Sequence, residues 1–165
     1  MLEPSTGVSP TMRAHAASVR LFMRDFAELN LFVRGEESSD RMLMWATMDF
    51  LSDFNGSTQP FTSIGLEEMY ARGWQSFAVR GTTCSLLQSL MILYARNHLP
   101  FQDGGISISI NDKAPLIMQM LSLLLSAYEQ NKRSMKTSLN IQQLLDPGST
   151  GLFSDYSILA GSYGF

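Results

Sequence analysis

Two histidines, one cysteine and two adjacent acidic pairs are the side chains whose chemistry suits a base, a nucleophile or a metal ligand. His15 stands between Ala14 and Ala16, and His98 falls at the end of an apolar stretch. Neither has a second His or Glu at the helical spacing that a zinc site requires. A histidine in the position of His98 has a simpler use, as a cation near a helix C-terminus. Cys84 lies in an apolar run with no base beside it, the setting of a buried structural thiol. In Glu36-Glu37 and Glu67-Glu68, adjacent side chains diverge, and acids in a first turn already favour the helix dipole. Asp103-Gly104-Gly105 has the turn of a calcium loop without its alternating carboxylates or terminal Glu. No glycine pattern cradles a phosphate. Catalysis needs a nucleophile, base or metal with supporting neighbours. The residues therefore predict no catalytic, cofactor or metal site, and a protein that is not an enzyme.

The bulk properties point towards contact surfaces. The chain has 165 residues, enough for one domain with a proper core. Charged residues make up 16%, low against roughly 25% for an ordinary soluble domain. Such a chain has a large core for its size or covers surface with partners. Eleven methionines and ten phenylalanines suit adaptable contact surfaces. A net charge of −3 shows no basic excess of the kind that attracts nucleic acid. The lone cysteine excludes an internal disulfide and fits a reducing cytoplasm. Met1–Pro10 lacks the order of a signal peptide. The apolar stretches Cys84–Ala95 and Leu116–Ala127 fall short of the roughly 20 residues that cross a bilayer. A soluble protein without membrane partners is expected.

The elements that must position these residues are mainly helical. Residues 1–10 read as a flexible lead, 11–140 as a helical domain and 141–165 as an extended arm. Met12, Ala16, Val19, Met23, Phe26 and Asn30 recur at three and four, predicting one amphipathic helix. Ser38 or Ser39 caps a second helix with Asp40 in its first turn, and Asn55-Gly56 ends it. Leu66–Met69 forms one short turn. A third helix spans roughly Gly73–His98, with Leu86–Tyr94 apolar nearly all round and hence central. Gly81 within it costs about 1 kcal/mol relative to alanine, which the close approach of a neighbouring helix explains. Ile106–Ile110 alternates strictly, as a short β-strand or half of a hairpin. Its partner is the Leu31–Val33 segment or an edge on another subunit.

A fourth helix, capped by Asn111 or Asp112, runs to about Leu139 over roughly 42 Å. That length exceeds the radius of gyration of about 15 Å expected for a compact chain of this size. Its second half is polar and carries Lys132, Arg133 and Lys136, yet Tyr128, Met135 and Leu139 continue the apolar row of Ile117, Leu121 and Leu124. A seam of that kind predicts packing against something outside the domain. The stretch Asp146–Phe165 has two charges and four aromatics, Phe153, Tyr156, Tyr163 and Phe165. Disordered tails are normally charged and poor in aromatics, so this one reads as an arm that docks on a partner. The architecture expected is a four-helix body with one long C-terminal helix, a short strand or hairpin, and a C-terminal arm.

Two segments carry a resemblance. One is Asp49-Phe50-Leu51-Ser52-Asp53-Phe54-Asn55-Gly56 followed by Pro60-Phe61-Thr62. The other is Tyr94-Ala95-Arg96-Asn97-His98-Leu99-Pro100-Phe101-Gln102-Asp103-Gly104-Gly105, followed by a strand and a long helix with a Lys/Arg segment. In that order they resemble small structural neck proteins, the head-to-tail connectors of tailed bacteriophages, over about residues 29–140. The resemblance implies a virion protein made in the bacterial cytoplasm and placed in the neck. It would form a ring, often twelve-fold, that joins the portal protein to other neck or tail proteins.

In that setting Ile106, Ile108 and Ile110 complete a sheet between subunits. Tyr128, Met135, Leu139, Phe153, Tyr156, Tyr163 and Phe165 meet partners. Arg96 and Asn97 fix the turn into Gly104 and Gly105. The cluster Lys132, Arg133 and Lys136 faces passing DNA or the portal, or is simply a solvated helix end.

Two other classes use the same features. A helical regulator or adaptor acting on a host or phage protein would form a stable small oligomer, whereas a ring component alone tends towards a monomer. A nucleic-acid binder using the basic helix end would show steep salt dependence.

Overall fold

A computed structural model describes residues 8–30, 35–96 and 114–145, together with the backbone pairing of 99–103 and 106–110. The described part is mainly helical, with five helices: α1 (Pro10–Met23), α2 (Asp40–Gly56), α3 (Leu66–Ala71), α4 (Gln75–Arg96) and α5 (Ala114–Leu145). Between α4 and α5 the backbone of β1 (Leu99–Asp103) pairs antiparallel with β2 (Ile106–Ile110), Leu99 opposite Ile110 and Asp103 opposite Ile106. The side chains of this ladder lie outside the described residues, as does the predicted partner segment Leu31–Val33.

α1 begins where Ser9 accepts the Met12 N–H at 3.2 Å and Pro10 takes the first helical position. It stops at Met23, short of the predicted Asn30, because Arg24 adopts a left-handed φ of 59° and its N–H closes back on the last turn. Asp25 then turns the chain. Its carboxylate accepts the backbone N–H groups of Glu37 and Ser38 at 2.8 Å each and the Asn30 amide at 2.8 Å. Those bonds outweigh the helical continuation that the apolar spacing suggested. Ser39 caps α2 through the Met42 N–H. Beyond α2, Asn55 binds Thr62 and both backbone groups of Ile64, drawing the following loop against the body.

α4 is the central element and packs against α1, α2, α3 and α5. An aromatic group from three helices forms the middle of the core. Phe77 stacks on Tyr128 with centroids 5.3 Å apart and meets Phe50 and Phe54 edge-on. Gly81 lies under this group. A methyl there would strike the Phe50 ring and come within 2.9 Å of Tyr128. The close approach expected at Gly81 therefore involves two helices, α2 and α5. A second cluster, Val19, Leu43, Ala46, Val79, Leu86 and Leu90, joins α1 and α2 to α4.

α5 extends to Leu145, past the predicted end near Leu139, and at 32 residues is about 48 Å long. No helix among the described residues is long and apolar enough to cross a membrane.

Candidate interaction surface

The inner face of α5 differs most from expectation. Tyr128 and Leu139 are buried, and Met135 packs on the same core cluster, so this row faces the protein's own body. It is not a surface offered to partners. The apolar row extends into the polar half of the helix because α5 itself remains docked on α4 and α2 along that length.

Lys132 and Lys136 also point inward, with only 3% and 1% of their surface exposed. Lys132 donates to Asp53 at 2.9 Å and Glu129 at 2.7 Å, while the Tyr128 hydroxyl donates to the same Asp53 oxygen at 2.6 Å. Lys136 donates to the Pro60 carbonyl at 2.8 Å and Thr62 at 3.1 Å, its ammonium 4.6 Å from the Phe54 ring centroid. Burial alone would raise the Asp53 carboxyl, but the bonds from Tyr128 and Lys132, with the Lys132 charge, hold it below the usual range. Burial, followed by the neighbouring Lys132 charge, lowers Lys136.

These lysines therefore fasten α5 to α2 and the following loop, their enclosed ammonium groups bonded to protein acceptors. The predicted basic surface for DNA or a portal is reduced to Arg133, the one exposed charged residue described on α5. The spacing of Tyr128, Lys132 and Lys136, four residues apart on the core side, was the signal for this role.

The groups with chemical potential are enclosed as well. His15 is fully buried, bonded through Nδ1 to the Tyr70 hydroxyl at 3.0 Å and through Nε2 to Thr82 at 2.9 Å. Burial lowers its pKa to about 4. Cys84 is buried, and burial, assisted by the Glu129 charge, pushes its thiol up to about 11. Among the described residues, no three His, Cys, Asp or Glu side chains gather in a metal-binding group. A cleft between α1 and α2 has Arg20 in its wall, paired with Glu36 and Asp40 and donating to the Ser38 carbonyl.

What remains exposed is apolar. Leu116, Met118, Met120 and Leu123 on α5, and Ile92 and Leu93 near the end of α4, are between 44% and 76% exposed. The predicted central stretch Leu86–Tyr94 is thus central only in its first half. From Ala114 to Tyr128 there is no charged residue, nor from Cys84 to Ala95.

Among the other predicted site residues, Arg96 is the exposed last residue of α4. Ile106, Ile108 and Ile110 have described backbone only, in β2. Asn97, His98, Gly104, Gly105 and the aromatics Phe153, Tyr156, Tyr163 and Phe165 lie outside the described residues. Comparison of this chain with protein-family models, curated proteins and solved structures finds no match.

Proposed function

We propose that this protein works by association with other polypeptides rather than by catalysis, as a structural component of a tailed-phage neck. The observation that carries the association is the charge-free, exposed apolar surface along the first half of α5 and the end of α4. Large apolar side chains gathered in the open without intervening charges mark an interaction site. The neck assignment adds the resemblance carried by Asp49–Thr62 and Tyr94–Gly105. On this reading copies form a ring that joins the portal to downstream neck or tail proteins. The edge of the Leu99–Ile110 hairpin serves a neighbouring subunit, and the segment 147–165 is an arm reaching an adjacent component.

Mass spectrometry of purified virions tests the assignment. The protein is expected in the particle at a copy number matching a ring, and a deletion of residues 147–165 is expected to impair its incorporation. Absence from complete particles would remove the neck reading. Unimpaired assembly of the deletion variant would remove the arm.

A second reading, a small helical adaptor that binds a host or phage protein, is favoured by the length and continuity of the outer face of α5. In that case the protein is absent from virions and isolates as a small oligomer.

A further inference from the structure

The face of α5 turned away from the body has its own order. Leu116, Met120 and Leu123 start a row that alternates by four and three, 63%, 56% and 76% exposed. With the same alternation it continues through Ala127, Gln130, Ser134 and Thr137, all exposed, to Ile141 and Leu144 at 51% and 44%. This is a heptad seam of nine positions opposite the row that fills the core. None of the nine is charged.

We infer that this seam is the contact for a second copy of the chain, related by a two-fold axis, with α5 lying against α5. Three observations identify the occupant. First, the layout keeps like with like when two copies lie side by side in parallel register. Large apolar residues occupy both ends, small or polar ones the middle, and Gln130 the midpoint. A parallel pair in register sets each large apolar residue on its own counterpart and Gln130 on Gln130, whereas an antiparallel pair would set Leu123 against Thr137. A slip of the parallel pair by one heptad would set Met120 on Ala127, Leu123 on Gln130, Ile141 on Ser134 and Leu144 on Thr137, so the pattern also pins the register. An isologous contact requires self-complementarity of this kind.

Second, the area is sufficient. All nine positions are exposed, the five large apolar ones by 44–76%, and a stable interface takes about 800 Å² from each partner. Third, the seam runs for roughly 42 Å, and Ala127, Ser134 and Thr137 put no bulky group in its middle to hold two helices apart.

The inference does not rest on the neck assignment. A two-fold pair closes after two copies, so a ring would need a further, head-to-tail surface. In the adaptor reading the pair is the working form. In the neck reading the pair replaces the monomer expected of a free ring component and is exchanged for ring contacts on assembly, so presence in virions, not oligomeric state, separates the two readings.

The test uses the full chain. Sedimentation equilibrium across a concentration series is expected to give twice the 18.4 kDa chain mass. The double variant Met120→Glu, Leu123→Glu should raise the dissociation constant at least roughly 100-fold. Its helical circular dichroism should be unchanged, because both side chains are already exposed in the single chain. Gln130→Cys should form an intermolecular disulfide under mild oxidation, whereas wild type, with its buried Cys84, should not.

A monomer at all concentrations would overturn the inference, as would a dimer indifferent to the two glutamates. If pairing appeared only after removal of residues 147–165, the chain's own tail and not a second copy would be the occupant, and the inference would fall.

Discussion

His15 is held neutral by burial between Tyr70 and Thr82, and its chemistry makes a measurable statement about stability. Its pKa of about 4 in the folded protein lies below the ordinary 6.5. In that window the unfolded chain takes up a proton that the native chain refuses. The contribution of His15 is therefore fully present above about pH 6.5 and is lost as pH falls towards 4. The loss amounts to roughly 3 kcal/mol. Denaturant unfolding at a series of pH values should show that fall in wild type and a flatter profile in His15→Gln. The carboxyls of Asp25 and Asp53 are both held below their ordinary 3.8 and keep their contribution until the pH drops beneath that value. They leave the window between 4 and 6.5 to His15. Asp53 carries a second prediction. Asp53→Ala strips the acceptor from the Tyr128 hydroxyl and one acceptor from Lys132, and should cost about 2 kcal/mol in thermal or denaturant unfolding.

Among the elements, α4 and α5 show what the amino-acid pattern conveys and what it conceals. Gly81 announced a close approach, and the Phe50 and Tyr128 rings fill the space that a side chain would need. Gly81→Ala should therefore destabilise by about 2–3 kcal/mol in denaturant titration. It does so despite the gain of about 1 kcal/mol in helix propensity. The caps at Ser9 and Ser39 were equally readable, because a hydroxyl before a helix has one dominant use. The end of α1 was not, since its apolar spacing continues past Met23. Only the long-range bonds of Asp25 to Glu37 and Ser38 break the helix there.

The buried lysines misled for a related reason. A charged side chain is solvated by default, and nothing local reveals an Asp53 that stands 79 positions earlier. The end of α4 misled in the opposite direction, since Leu86–Tyr94 is apolar nearly all round and yet Ile92 and Leu93 are exposed.

For the whole molecule, the balance of enclosed charge and exposed apolar surface defines how it works. The potentially reactive groups among the described residues, His15 and Cys84, are sealed inside, whereas leucine and methionine side chains line the outside of the longest helix. Substitutions on that outer face should leave the fold intact and change association. Leu123→Glu is expected to shift thermal unfolding of the monomer by no more than about 0.5 kcal/mol and to abolish the concentration dependence of the wild-type melting temperature.

The most direct test of the central claim, that another polypeptide covers this face, is hydroxyl-radical footprinting of the methionines in wild type and Leu123→Glu. Met120, on the seam, should be protected in wild type and oxidised freely in the variant, while Met118, off the seam, reacts alike in both. Equal oxidation of Met120 in the two proteins would mean that the outer face of α5 stands open to water, and would contradict the claim.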